Sequence, residues 1–137
     1  MIFKNDKIFV AGHRGLVGNA IIKKLKIKGY KNILTINRNK LDLTNQKKVF
    51  NFLKKEKPKF IFIAAAKVGG IYLNTRYKAD FLYQNIAIQT NLIHGAFLAN
   101  VKDLIFLGTS CAYPRESKQP IKEKYLLNGY VEETNDA

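Results

Sequence analysis

The sequence predicts an α/β fold: a doubly wound parallel sheet with helices on both faces. Three observations predict it. Short apolar runs rich in β-branched and aromatic residues alternate with longer stretches of helical period. One of the runs is apolar throughout, as in a strand buried on both faces. A glycine cluster directly follows the first run and opens the first helical stretch. At 137 residues the chain reads as one domain.

The elements follow in order. Lys7-Ile8-Phe9-Val10-Ala11 is a short strand ending at Gly12. The helix after it places Leu16, Ala20, Ile21 and Leu25 on one face and stops at Gly29. Ile33-Leu34-Thr35-Ile36 is a second strand. Leu41-Asp42-Leu43-Thr44 leads into a second helix, with Thr44 as its cap and Val49, Phe50 and Leu53 facing inward, and Pro58 ends it. Phe60 to Ala66 is the continuous apolar strand. A polar loop with Gly69-Gly70 precedes a long helix from about Ala79 to Asn100, whose apolar positions include Leu82, Ile86, Leu92, Ile93 and Phe97. Leu104-Ile105-Phe106-Leu107 is a fourth strand closed by Gly108. From Pro114 to Ala137 the chain has no clear period and reads as loop with one short helical turn. Strands alternating with helices imply right-handed crossovers. The result is the N-terminal half, about four strands and incomplete, of a Rossmann-type nucleotide-binding sheet.

Composition narrows the class. The chain is 47% hydrophobic and 25% charged, which suits a buried core and not disorder. A single cysteine, Cys111, excludes an internal disulfide. His13 and His94 lie far apart, so no metal site is expected. No apolar run approaches the roughly 20 residues of a membrane span. The first residues lack the apolar core of a secretory signal, so a soluble cytoplasmic protein is expected. Lys plus Arg outnumber Asp plus Glu by 24 to 10, a formal charge of +14. That balance raises nucleic acid as a partner. The lysines, however, fall on outer helix faces: Lys23, Lys24, Lys26 and Lys28 on one helix, Lys47, Lys48, Lys54, Lys55 and Lys57 on another. A solvated face is the expectation, with no nucleic acid and no membrane as partner.

The chemistry concentrates at strand ends. Gly12, His13, Arg14, Gly15, Leu16, Val17 and Gly18 form a G-x-x-G-x-x-G loop between strand and helix. Such glycines let the backbone turn tightly and approach a pyrophosphate, which the helix N-terminus then binds. The plain alternative is an ordinary strand-to-helix turn. About 20 positions on, NAD sites carry an acid for the ribose hydroxyls. Here strand two ends Thr35-Ile36-Asn37-Arg38. Arg38 with Arg14 suits a ribose 2′-phosphate, because guanidinium donors match phosphate oxygens in pairs. NADP(H) is therefore expected over NAD, unless Arg38 is only a surface arginine. Asp42 could accept from the adenine amine or could serve the helix entry. Ala64-Ala65-Ala66 gives small side chains where a cofactor would pass or helices would pack. Thr109-Ser110-Cys111 stands at the carboxyl end of strand four, by the crevice where such sheets bind ligands. A hydroxyl there could meet a substrate carbonyl or cap the loop. The thiol could move a proton or be a small buried hydrophobe.

These blocks together resemble the N-terminal part of the GDP-L-fucose synthase family, which are extended short-chain dehydrogenase/reductases. The matching stretches are Val10 to Gly18, Ala64-Ala65-Ala66-Lys67-Val68-Gly69-Gly70-Ile71, Tyr83-Gln84-Asn85 and Phe106 to Pro114. Ala79-Asp80-Phe81 and Lys118-Gln119-Pro120-Ile121 also fit. The resemblance implies an epimerase/reductase that takes a GDP-sugar, GDP-4-keto-6-deoxy-D-mannose, epimerises it beside the ketone and reduces the ketone with NADPH. It implies that Gly12 to Gly18 hold the pyrophosphate and that Arg14 and Arg38 hold the 2′-phosphate. Arg38, Asn39, Lys40, Leu41, Asp42 and Leu43 would line the adenosine. Leu107, Gly108, Thr109 and Ser110 would line the nicotinamide side. Thr109 stands where the family usually has serine, against the keto oxygen, and Cys111 matches the family's epimerisation acid/base. A homodimer pairing through long helices, near Ala79 to Asn100, is implied for the full-length protein.

One departure limits this. The family's reductive acid is the tyrosine of Tyr-x-x-x-Lys. None of the seven tyrosines here has lysine four positions on: Tyr30 meets Leu34, Tyr72 meets Arg76, Tyr77 meets Phe81 and Tyr113 meets Ser117. Neither His13 nor His94 matches the family's partner histidine. The chain is therefore expected to be a fragment, with residues 1–137 the N-terminal part of an NADP-binding domain and the substrate domain absent. Strand four is then expected to be an open edge, and the fragment to be inactive as a reductase. The alternatives are another extended-family sugar-nucleotide epimerase or dehydratase, which Arg38 argues against, and a non-catalytic nucleotide-binding or nucleic-acid-binding module using the +14 charge.

Overall fold

A computed structural model describes residues 2–133. It divides into two compact units, one running up to Lys67 and including Tyr83–Leu107, the other comprising Val68–Leu82 and the residues from Gly108.

The first unit is built on four parallel strands: β1 (Ile8–Ala11), β2 (Ile33–Leu34), β3 (Phe60–Ile63) and β4 (Asp103–Phe106), in the order β2-β1-β3-β4. This is the predicted Rossmann-like sheet. β1 lies between β2 and β3, pairing Ile8 with Ile33 on one side and with Phe60 on the other. All four β1 residues are buried. Their period of two sends alternate side chains to opposite faces. Phe9 and Ala11 join Ile61 and Ile63 on one face, against Val49 and Leu53 of α2 (Gln46–Glu56) and Leu92 and Ala96 of α4 (Lys78–Leu98). Ile8, Val10, Phe60 and Phe62 face the other way, against Ile21, Ile22 and Leu25 of α1 (Leu16–Ile27).

Several boundaries differ from expectation. β2 is two residues long, Ile33–Leu34, and Thr35 beyond it is exposed. Leu16 is 90% exposed and Ala20 is exposed as well. The inward side of α1 is instead Gly18, Ile21, Ile22 and Leu25. The cap of α2 is Asn45 and not Thr44: its side chain accepts from the Lys48 N–H at 3.0 Å. Thr44 is occupied by Asp42. α2 closes on Lys57 in the left-handed region, ahead of Pro58.

The long helix holds the largest correction. Of its expected core residues only Leu92 is buried; Ile86, Ile93 and Phe97 are 53%, 41% and 74% exposed. The buried positions are Asn91, Leu92, Gly95 and Ala96. Small residues face inward because the helices approach closely: a Cβ on Gly95 would fall 2.9 Å from Leu53 Cδ1.

In the second unit the expected Gly69-Gly70 loop continues into a short helix, α3 (Ile71–Arg76). Gly69 allows close packing there, since a Cβ would lie 2.9 Å from Phe81 Cζ. The tail holds 3₁₀ turns at Ser110–Ala112 and Glu123–Tyr125. Arg115 pairs with Glu132 at 3.2 Å. The last four residues of the tail expected as loop, Thr134 to Ala137, lie outside the described ones.

Candidate functional site

β2 and β3 lie on opposite sides of β1, so the strand order reverses beside β1. In open α/β sheets the crevice at the carboxyl ends of such strands is where ligands bind. Gly12 leaves β1 there, and Ala64 and Ala65 leave β3 there. Gly12 has φ +85°, a conformation that favours glycine, and a Cβ on it would come within 2.7 Å of the Ala65 amide nitrogen. A Cβ on Gly18 would come within 2.7 Å of the Gly12 carbonyl carbon. Both glycines are thus required by close backbone approach. Gly15 is not crowded; its N–H donates to the Gly12 carbonyl at 3.0 Å and shapes the turn.

The turn delivers the start of α1 to the crevice. Gly15 is the N-cap, no side chain caps the helix, and no acid lies in its first turn. The N–H groups that open a helix have no partner within it, and they carry the positive end of its dipole. A phosphate group fits this cradle. Leu16 and Val17 are exposed beside it, Arg14 is exposed and His13 is half-buried.

The segment after β2 forms a compact arm. The N–H groups of Lys40 and Leu41 both donate to the Asn37 carbonyl at 3.0 Å. Arg38, Asn39 and Lys40 are exposed, whereas Leu41 turns its side chain into the core with 4% exposure. Leu43 is half-buried, packing against the core. Asp42 accepts from the Thr44 N–H at 3.0 Å and from its hydroxyl at 2.8 Å. The backbone N–H of Thr44, then its hydroxyl, hold the Asp42 carboxyl below its ordinary range. Its Oδ1 thus meets Thr44 at the entry to α2.

Ala64 continues the ladder, its N–H donating to the Ala11 carbonyl at 3.0 Å. Leu107 extends β4 likewise, its N–H donating to the Ile63 carbonyl at 3.2 Å.

Three amides on α4 touch this region, and sequence reasoning gave them no role of their own. Asn85 accepts from the Lys67 N–H at 2.7 Å and donates to the Lys67 carbonyl at 3.0 Å, fixing the strand after Ala64 and Ala65 at two points. Asn91 donates to the Leu43 carbonyl at 3.0 Å. Gln84 Oε1 lies 3.5 Å from Arg38 Nη2. The signal in the sequence is faint: a polar residue at an inward position of an otherwise apolar helix.

In the second unit, Gly108, Thr109, Ser110 and Cys111 form the start of a 3₁₀ turn. Thr109 Oγ1 accepts from the Cys111 N–H at 3.2 Å and caps it, leaving the hydroxyl proton free to donate. Cys111 is a free, exposed thiol and not a buried hydrophobe. Among the described residues, no helix is long and apolar enough to cross a membrane.

Known proteins are similar to this chain. GDP-L-fucose synthase 1 of Arabidopsis thaliana is 52% identical over 133 residues, which is 97% of this chain and 41% of that protein. GDP-L-fucose synthase of Escherichia coli is 45% identical over 131 residues, covering 96% of this chain and 41% of that one. The structure of a GDP-mannoheptose C4 reductase from Campylobacter jejuni with NADP bound matches with TM-score 0.92 at 42% identity, covering 98% of this chain and 42% of the other. The chain thus spans about two fifths of the length of these relatives. A family model matches residues 8–136, and a homologue of GDP-L-fucose synthases with this sheet and glycine loop belongs to the NAD dependent epimerase/dehydratase family.

Proposed function

We propose that this chain is the NADPH-binding part of a GDP-L-fucose synthase, an enzyme that epimerises and then reduces GDP-4-keto-6-deoxy-D-mannose. The observation that carries the reading is the uncapped, acid-free start of α1 behind Gly12, set where the strand order reverses. Gly12 to Gly18 hold the pyrophosphate in this reading, Arg14 and Arg38 hold the 2′-phosphate, and the arm from Arg38 to Leu43 lines the adenosine. Ala64 and Ala65 leave room for the dinucleotide, and Leu107 to Ser110 line its nicotinamide end. NADPH, when bound, supplies the hydride that reduces the ketone. The Thr109 hydroxyl donates to the keto oxygen. Cys111 moves protons at the carbons beside the ketone, where the carbonyl stabilises the enolate. Its exposed thiol supports that role.

Residues 1–137 are read as the N-terminal part of an NADP-binding domain of Rossmann type. They lack Tyr-x-x-x-Lys, so the proposal assigns them cofactor binding without ketone reduction. The whole enzyme is read as a cytoplasmic homodimer. The exposed apolar row Ile86, Ile93 and Phe97 along α4 supports the pairing, and a single unpaired cysteine suits a reducing compartment.

A second reading, a C4 reductase of another GDP-linked sugar, is supported by the Campylobacter jejuni structure. It shares the cofactor site and dispenses with Cys111 as an acid/base.

The test is a fluorescence titration of the protein with NADPH and with NADH. NADPH is expected to bind at least about tenfold more tightly, the scale of one charge-assisted contact to the 2′-phosphate. Equal affinities would overturn the assignment of Arg14 and Arg38.

A further inference from the structure

The arm that carries Arg38 is anchored from within by the Asn37 carbonyl, by the buried Leu41 side chain and by the Asp42–Thr44 pair. None of these fixes the direction of the Arg38 guanidinium. One contact from outside the arm reaches it, a second holds the arm itself, and both come from α4. Asn91 Nδ2 donates to the Leu43 carbonyl at 3.0 Å, and Arg38 Nη2 lies 3.5 Å from Gln84 Oε1. Gln84 and Asn91 are seven residues apart, two helical turns, and so share one face of α4.

Asn91 is the one buried polar side chain among the described residues, at 4% exposure. It sits beside Leu92 and near Ala96 on the face of α4 that packs against the core. An amide in such a place is costly unless bonded, and an apolar side chain of similar volume would pack there without that cost. What the amide adds is a fixed point for the arm at Leu43. At the arm's other end Gln84 occupies one of the guanidinium's five donors and leaves the rest for a ligand. A guanidinium already held in place loses less freedom when it meets a phosphate.

We propose that Gln84 and Asn91 are positioning residues that set the preference for a 2′-phosphorylated dinucleotide by holding Arg38 and its arm against α4. This rests on the NADPH reading above.

The test measures dissociation constants of NADPH and NADH for the wild type, Asn91→Leu and Gln84→Leu, and follows their ratio. Each variant is expected to shrink the NADPH preference about fivefold or more, the scale of one lost hydrogen bond, with NADH affinity held within about twofold. A merely structural role would weaken both dinucleotides together and leave the ratio where it was. In an Arg38→Leu background, Gln84→Leu is expected to change the ratio no further, because the two act through one group. If Asn91→Leu does not fold by circular dichroism, Gln84→Leu decides alone. An unchanged ratio in folded Gln84→Leu, with a wild type that prefers NADPH, overturns this proposal and leaves the cofactor reading standing. A wild type with no preference overturns both.

Discussion

At Asp42 one carboxylate oxygen accepts two hydrogen bonds from Thr44 and thereby turns the arm into α2. The same bonds hold the carboxyl below its ordinary value of 3.8, with Arg38 and Lys48 adding a smaller pull in that direction. A group that ionises more readily folded than unfolded contributes stability that is complete above its unfolded pKa. That contribution is lost as pH falls through the lowered folded value. Asn at this position keeps an acceptor for Thr44 but has no proton to gain. Asp42→Asn is therefore expected to melt below the wild type at pH 7 and to converge on it in acid. It should also show a shallower loss of stability as the pH falls below about 4. Thermal melts across that range check it; a slope as steep as the wild type would mean that the Thr44 bonds do not favour the ionised form.

Among the elements, the β1–α1 junction was legible because its chemistry is backbone chemistry. Gly12 and Gly18 are glycines for steric reasons that any strand-to-helix phosphate turn shares, so spacing alone located them. The inward face of α4 was not legible, because size misleads there. Ile86, Ile93 and Phe97 are bulky and exposed, whereas Gly95 and Ala96 are small and buried against α2. A periodicity argument weights large apolar residues and misses a face chosen for close approach. Thr44 and Asn45 are both good caps, and only the competition from Asp42 decides between them. The amides of Gln84 and Asn91 are invisible without knowing which segment lies across from them. The two kinds of buried glycine also respond differently to substitution. At Gly95 an added methyl meets a Leu53 methyl and the Phe50 ring, side chains that can shift, whereas at Gly18 it meets the Gly12 backbone, which cannot. Gly95→Ala is expected to stay within about 1 kcal/mol of wild type, since the better helix propensity of alanine offsets the crowding. Gly18→Ala is expected to lose about 2 kcal/mol or more and to abolish NADPH binding. Denaturant melts of the two variants compare them directly; equal losses would mean that the turn is less tightly packed than the Gly12–Gly18 approach implies.

Over the whole molecule, a formal charge of +14 meets few acids. Ion pairs join Lys7 to Glu56, Lys59 to Asp6, and Arg115 to Glu116 and Glu132. Lys23, Lys24, Lys26, Lys47, Lys54 and Lys55 are exposed along α1 and α2. Lysines in the last turns of both helices complement the negative ends of the helix dipoles, which gives them a local purpose without any polyanion. Like charges at this density repel one another in the compact state more than in the expanded one. Added salt screens that repulsion over about 10 Å at 0.1 M ionic strength, while the few exposed ion pairs lose little because each contributes little. The melting temperature is therefore expected to rise between about 0.01 M and 0.3 M sodium chloride, by a few degrees for each roughly 1 kcal/mol regained. Calorimetry at the two ionic strengths measures it. A melting temperature that falls with salt would mean that attraction between opposite charges outweighs the lysine repulsion, and the lysine-rich faces of α1 and α2 would then need a partner of opposite sign to explain them.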